Sequence, residues 1–315
     1  MQSKMEKLLL NELTLFCEDR KKSKDDSKFP LIAIMGPTAS GKSSLAMRIS
    51  QKLPVEIISA DSMQVYKGMD IGTAKPTARD QELIPHHLID LFDISIPLNV
   101  YKYIELAEEA IDKVVQNNKI PLLVGGSGMY IRALIYGMDP LPADPILRNE
   151  LDQEYGSKEG FEKLKSLMKE LDSEDFLRWE KNHRKLIRSL EVFKLTGKSI
   201  TQLQKTWELK PRFDLKAYKL RIERSRLREK IATRSKIMLQ EGWVEETEKL
   251  IESGLLESPT ARQAIGYPVI ADFLSGKLTY DDMQKKISTV TAQFARRQDT
   301  WFRNKHPEAN FLDVE

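Results

Sequence analysis

The stretch "MGPTASGKSS" (35–44) sits directly behind the apolar run "PLIAIM" and ahead of "SLAMRISQKL", whose apolar residues recur at helical spacing. Within it the pattern G-x-x-x-x-G-K-[ST] is spelled by Gly36, Pro37, Thr38, Ala39, Ser40, Gly41, Lys42 and Ser43. A β-branched strand, a glycine loop and an amphipathic helix in that order form the context a phosphate-binding loop requires. Its backbone amides and the helix N-terminus bind phosphate oxygens, Lys42 adds a point charge, and the Ser43 hydroxyl can reach a Mg²⁺ ion. The loop thus points to an α/β fold and a phosphorylated ligand, without saying which ligand.

The same alternation continues downstream. "PVEIISAD" reads as a second strand ending at Asp61, "HHLIDLFDI" as a short strand, "YKYIELAEEAIDKVVQNNK" as a helix, and "IPLLVGGSG" as a buried strand running into a glycine turn. Strands alternating with helices over 30–137 imply a parallel sheet flanked by helices. Ligands of such sheets bind at the carboxyl ends of the strands, so the loops after Met35, Ser59 and Val124 should converge on one crevice. From about 140 to 208 the chain is polar and helix-forming. "AYKLRI" (217–222) returns as a strand, and 224–304 is mostly helical. The organisation expected is an N-terminal amphipathic helix and charged linker "EDRKKSKDDSK" over 1–28, a core over 29–139 and 209–315, and a helical insertion over 140–208.

Composition narrows the class. Of 315 residues 41% are hydrophobic and 31% charged, and no apolar run approaches the ~18 to 20 residues of a membrane span. The N-terminal "LLLNELTLF" is interrupted by Asn11 and Glu12 and no small-residue cleavage site follows, which argues against a signal peptide. The single cysteine, Cys17, cannot form an internal disulfide and fits a reducing cytoplasm. Nothing demands more than a monomer. The net charge of +3 hides local concentrations. Arg178–Lys198 holds seven Lys/Arg against two acids, Lys210–Lys236 eleven against three, and "ARRQDTWFRNK" sets four around Trp301 and Phe302. Basic stretches with interleaved aromatics suit a polyanion, though solvated helix faces look the same in sequence.

A nucleotide hydrolase usually adds a second acid from a buried strand to hold Mg²⁺. "IPLLVGG" ends in glycines, and Asp90 in "HLID" is a weak alternative. Asp61 is the acid best placed for chemistry, at a strand end beside Ser62 and Gln64. It can take a proton from a substrate, complete a Mg²⁺ sphere, or simply cap a turn. "GGSGMY" (125–130) offers close backbone approach and the Ser127 hydroxyl, or a plain strand-to-helix turn. His86, His87, His183 and His306 have no metal-site spacing.

Taken in order, "GPTASGKS", "ISADSMQVYKGMDIGTAKP", "PHHLID", "PLLVGGSGMYIRAL", "LEVFKLTGKSI", "ARQAIGY" and "RRQDTWFR" resemble the tRNA dimethylallyltransferase family over roughly residues 30 to 305. The resemblance implies a P-loop NTPase-like core and a helical insertion that clasps the tRNA anticodon stem-loop. It implies that dimethylallyl diphosphate, with Mg²⁺ held partly through Ser43, supplies a prenyl group. The acceptor would be N6 of the adenosine 3′ of the anticodon, position 37, in tRNAs reading codons that begin with U. Products would be N6-isopentenyladenosine and diphosphate. The loop would then hold the diphosphate leaving group, with Lys42 and Ser43 assisting, Thr38 near the diphosphate, and Asp61 acting as general base. Asp61, Ser62, Met63, Gln64, Ser127, Arg148, Arg184, Lys185, Leu186, Ile187 and Arg188 correspond to tRNA-contacting positions. The chain departs from the family pattern where Ser127 replaces a threonine and where an Asn-Asp-x-x-Arg segment is replaced over Lys181–Lys185.

Three rivals stand beside this reading. An adenylate dimethylallyltransferase would need neither the helical insertion nor the basic C-terminal half. A small-molecule kinase would want the missing second acid, and a non-catalytic RNA-binding protein has no use for Lys42, Ser43 and Asp61 together.

Overall fold

The computed structural model describes residues 4–22, 28–204 and 210–314. Part of the expected linker (23–27) and the end of the expected insertion (205–208) lie outside the described residues. The chain divides into two compact units, 1–135 with 211–315, and 136–210.

The first unit is built on six parallel strands: β1 (Pro30–Met35), β2 (Val55–Ala60), β3 (His86–His87), β4 (Ile120–Gly125), β5 (Asp214–Arg221) and β6 (Asn310–Asp313), in the order β3-β2-β4-β1-β5-β6. Every residue of β1, β2 and β4 is buried, as continuous apolar runs in a sheet covered on both faces should be. One charge interrupts them. Glu56 on β2 is 3% exposed and is met by His87 Nε2 at 2.7 Å and Lys119 Nζ at 3.0 Å. Burial would raise its pKa, but these partners outweigh burial and hold it below the ordinary value.

The strand expected over "HHLIDLFDI" shrinks to His86–His87, because Leu88 and Asp90 adopt left-handed φ of 65° and 55°. The Asp90 carboxylate lies 2.5 Å from Lys75 Nζ as its counter-ion. That pairing disposes of Asp90 as a candidate phosphate-site acid.

Among the described residues this unit's helices are α1 (Lys4–Lys22), α2 (Lys42–Ser50), α3 (Ala78–Leu83), α4 (Val100–Gln116) and α5 (Gly128–Tyr136, its last residue at the unit boundary), then, after the second unit's helices, α11 (Arg224–Gln240), α12 (Trp243–Glu252) and α14 (Tyr280–Lys305), with α2 and α4 packed on the sheet. The short α13 (Tyr267–Leu274) lies between the last two. The core does not start at Phe29 as the sequence reading expects. Leu9, Leu10, Leu13, Phe16 and Cys17 of α1 are buried in one cluster with Leu45, Ile49, Ile32 and Ile57. Their spacing makes one apolar stripe along the helix, which has to be covered.

The second unit holds α6 (Pro145–Tyr155), α7 (Lys158–Leu171), α8 (Ser173–Trp179), α9 (His183–Thr196) and α10 (Ile200–Leu203). Asp144, Ser157, Asp172, Asn182 and Ser199 cap their N-termini through side-chain oxygens, the residue types that satisfy orphan amides there. Leu151, Leu164, Met168, Leu186, Ile187 and Leu190 form its core.

Candidate active site

The register explains why three loops meet. Met35 pairs with Gly125 and Gly125 with Ala60, so β1, β4 and β2 end level with one another. The loops leaving these ends enclose a crevice of about 370 Å³ lined by Thr38, Ala39, Gly41, Lys42, Ser43, Asp61, Gln64, Thr73, Ala74 and Gly126, with Lys230 and Arg234 from α11. Gly41 caps α2 at φ 92°, a left-handed conformation that glycine adopts without a Cβ clash. Gly36 and Pro37 carry the start of the turn, and Ser40 is buried at 2% exposure.

Lys42 Nζ donates to the Pro37 carbonyl at 2.8 Å. Crowding by protein atoms lowers its pKa to about 7; the Arg234 charge acts in the same direction and Asp61 opposes it. Desolvation likewise raises the Asp61 pKa, against the Met63 N–H that donates to Oδ1 at 2.9 Å and the nearby Lys42 charge. A carboxyl shifted this way is a stronger proton acceptor than one in water.

The far wall is held by an amide and two hydroxyls. Gln64 accepts from Ser59 Oγ at 2.8 Å and donates through Nε2 to the Thr73 and Ala74 carbonyls at 3.2 and 3.3 Å. Ser62 N donates to Ser127 Oγ at 3.2 Å, so the serine of the glycine turn touches the Asp61 loop.

Two residues that sequence reading misses complete the site. Arg234 Nη2 donates to Thr38 Oγ1 at 2.6 Å. Gln298 of α14 accepts from Thr38 N at 2.8 Å and donates to the Gly126 carbonyl at 2.9 Å, tying the phosphate loop to the glycine turn. Arg234 lies in a basic stretch where nothing singles it out, and Gln298 lies in the "RRQDTWFR" block, where the sequence alone gives it no role.

The remaining candidates belong to the second unit. Arg148 and Arg188 both bond the buried Glu191 carboxylate, Arg188 at 2.6 Å. Leu186 and Ile187 are 0% and 3% exposed within that unit's core. Their side chains therefore have a packing role in that unit. An apolar residue at that helical spacing is needed to close the bundle. Arg184 and Lys185 are exposed, with Lys185 Nζ 3.8 Å from the Trp179 ring centroid.

A glycine loop facing a desolvated carboxylate at the ends of parallel strands marks an α/β protein with a P-loop-like core. Residues 64–305 match the family model described as IPP transferase. The chain is 40% identical over 290 residues to a tRNA dimethylallyltransferase of Natranaerobius thermophilus, covering 90% of this chain and 86% of the relative. It is similar to the crystal structure of a full-length tRNA isopentenylpyrophosphate transferase from Bacillus halodurans, with TM-score 0.67, 36% identity, and 91% and 92% coverage. It also resembles a eukaryotic dimethylallyltransferase acting on tRNA, with TM-score 0.75, 26% identity, and 90% and 74% coverage. The chain belongs to the IPP transferase family of tRNA dimethylallyltransferases.

Proposed function

We propose that this chain transfers the dimethylallyl group of dimethylallyl diphosphate to N6 of adenosine 37 in the anticodon loop of tRNAs reading U-initial codons. The observation that carries the reading is the pairing of a cation-lined phosphate loop with Asp61 across one small crevice. The exocyclic amine is a weak nucleophile because its lone pair is delocalised, while the allylic carbon can spread developing positive charge. The C1–O bond to diphosphate breaks as the N6–C1 bond forms, and Asp61 takes the amine proton. Loop amides, Lys42 and Arg234 stabilise the leaving diphosphate. Flipping an adenosine costs least in a single-stranded loop.

The residues fit a Mg²⁺ ion in part. Ser43 and Asp61 supply hard oxygen ligands in one crevice, and no cluster of three or more His, Cys, Asp or Glu able to hold a metal exists among the described residues. The remaining ligands would come from diphosphate and water. When bound, the ion would offset negative charge on the departing diphosphate. No helix among the described residues is long and apolar enough to cross a membrane. We read the protein as a cytoplasmic monomer.

Incubation with unmodified tRNA, isotopically labelled dimethylallyl diphosphate and Mg²⁺, with AMP as a parallel acceptor, tests the reading. Label is expected in tRNA and absent from AMP. Label only in AMP would overturn the acceptor, and label in neither would return the loop to ATP.

A further inference from the structure

The segment 69–76, "MDIGTAKP", forms the wall of the crevice through Thr73 and Ala74, yet the reaction assigns it no role. Three consecutive backbone amides in it point at one carboxylate. Glu246 Oε2 accepts from Asp70 N at 2.9 Å and Ile71 N at 2.7 Å, and Oε1 accepts from Gly72 N at 3.0 Å and from the Tyr267 hydroxyl at 2.7 Å. Successive amides aimed this way form an anion nest, and bonds to an ionised acceptor are about twice as strong as neutral ones. The fit is close, since a Cβ on Gly72 would fall 2.1 Å from Trp243 Nε1 and 2.6 Å from Tyr267 Cζ. Beyond the nest, Thr73 Oγ1 donates to the Met69 carbonyl at 2.6 Å, and Ala74 takes a left-handed φ of 52°. The Thr73 and Ala74 carbonyls then receive both bonds of the Gln64 amide, which in turn accepts from Ser59.

We infer that Glu246 is a positioning residue for the acceptor side of the crevice. Through the amides of 70–72 it sets the carbonyls that orient Gln64, and through Gln64 the loop that carries Asp61. The inference rests on the prenyl-transfer reading above. It makes the diphosphate side independent of Glu246, because Thr38, Lys42, Arg234 and Gln298 have no bond to this nest among the described residues.

The chemistry of the nest supplies the test. Three of the four groups facing Glu246 are backbone amides that can only donate, so Glu246→Gln must turn its NH₂ toward at least one of them whichever way it flips. Transfer to tRNA would be measured at saturating substrates, well below each variant's melting temperature, with diphosphate-substrate affinity measured separately by calorimetry. Glu246→Gln should lower kcat about 10- to 100-fold while that affinity stays within about twofold. Tyr267→Phe, which removes one donor and leaves the carboxylate, should move kcat in the same direction by less and serves if Glu246→Gln does not fold. Unchanged kcat with a lowered melting temperature would reduce Glu246 to a stabilising contact and overturn the inference. A parallel loss of diphosphate affinity would overturn its restriction to the acceptor side. If the wild-type chain transfers nothing, it is the prenyl-transfer reading that falls, and this inference with it.

Discussion

In the crevice of the first unit, Lys42 and Arg234 bond neutral oxygens, a carbonyl and a hydroxyl. In the helical unit, Arg148 and Arg188 share the carboxylate of Glu191, itself 1% exposed. Arg234 and Arg188 each come from a stretch that looks basic in sequence, and their roles differ. The first pair has no carboxylate bonded to it and faces the crevice where a polyanion can arrive, with Asp61 nearby. The second pair offsets a buried carboxylate and holds the bundle together, because an uncompensated charge there would cost several kcal/mol. Counting charges along a chain finds a basic surface only after such internal pairs are subtracted.

The contrast can be broken in order of size. Asp61→Asn should lower the transfer rate about 10²- to 10⁴-fold while tRNA still binds, since an amide cannot accept the amine proton. Normal turnover in that variant would remove Asp61 from the chemistry. Glu191→Gln should destabilise the protein by about 3 kcal/mol in chemical denaturation, as two arginines lose their shared charge partner, with diphosphate affinity unchanged. A stability near that of the wild type would mean that the Glu191 charge is not what holds Arg148 and Arg188 in place.

Lys42 provides the next test. Its pKa is lowered to about 7 in the free protein, and a bound diphosphate favours the charged ammonium, so binding above that pH takes up a proton. Diphosphate affinity should fall by up to about tenfold per pH unit above about 7. Calorimetry in buffers of different ionisation enthalpy checks the proton uptake, and a flat profile would mean the lysine stays charged without ligand. Smallest of all, Arg184→Ala and Lys185→Ala should each weaken tRNA binding a few-fold and reduce its log–log salt slope by about one, read from filter binding across a salt series. An unchanged slope would make that helix start an ordinary solvated surface.

What the sequence determined by itself was local. The phosphate loop, the buried apolar strands and the capped helices each depend on residues within one turn or strand of each other, and periodicity and capping chemistry report them directly. Asp61 was legible for the same reason, since a strand ends there and a polar loop begins. The fate of α1, the pairing of Arg148 and Arg188 with Glu191, and the placing of Arg234, Gln298 and Glu246 were decided by tertiary structure. Gln298 meets Thr38 across 260 residues and Glu246 meets Gly72 across 174. At such separations one glutamine or glutamate in a helix is indistinguishable from any other, because its partner is chosen by how the helices pack on the sheet and no local pattern carries that information.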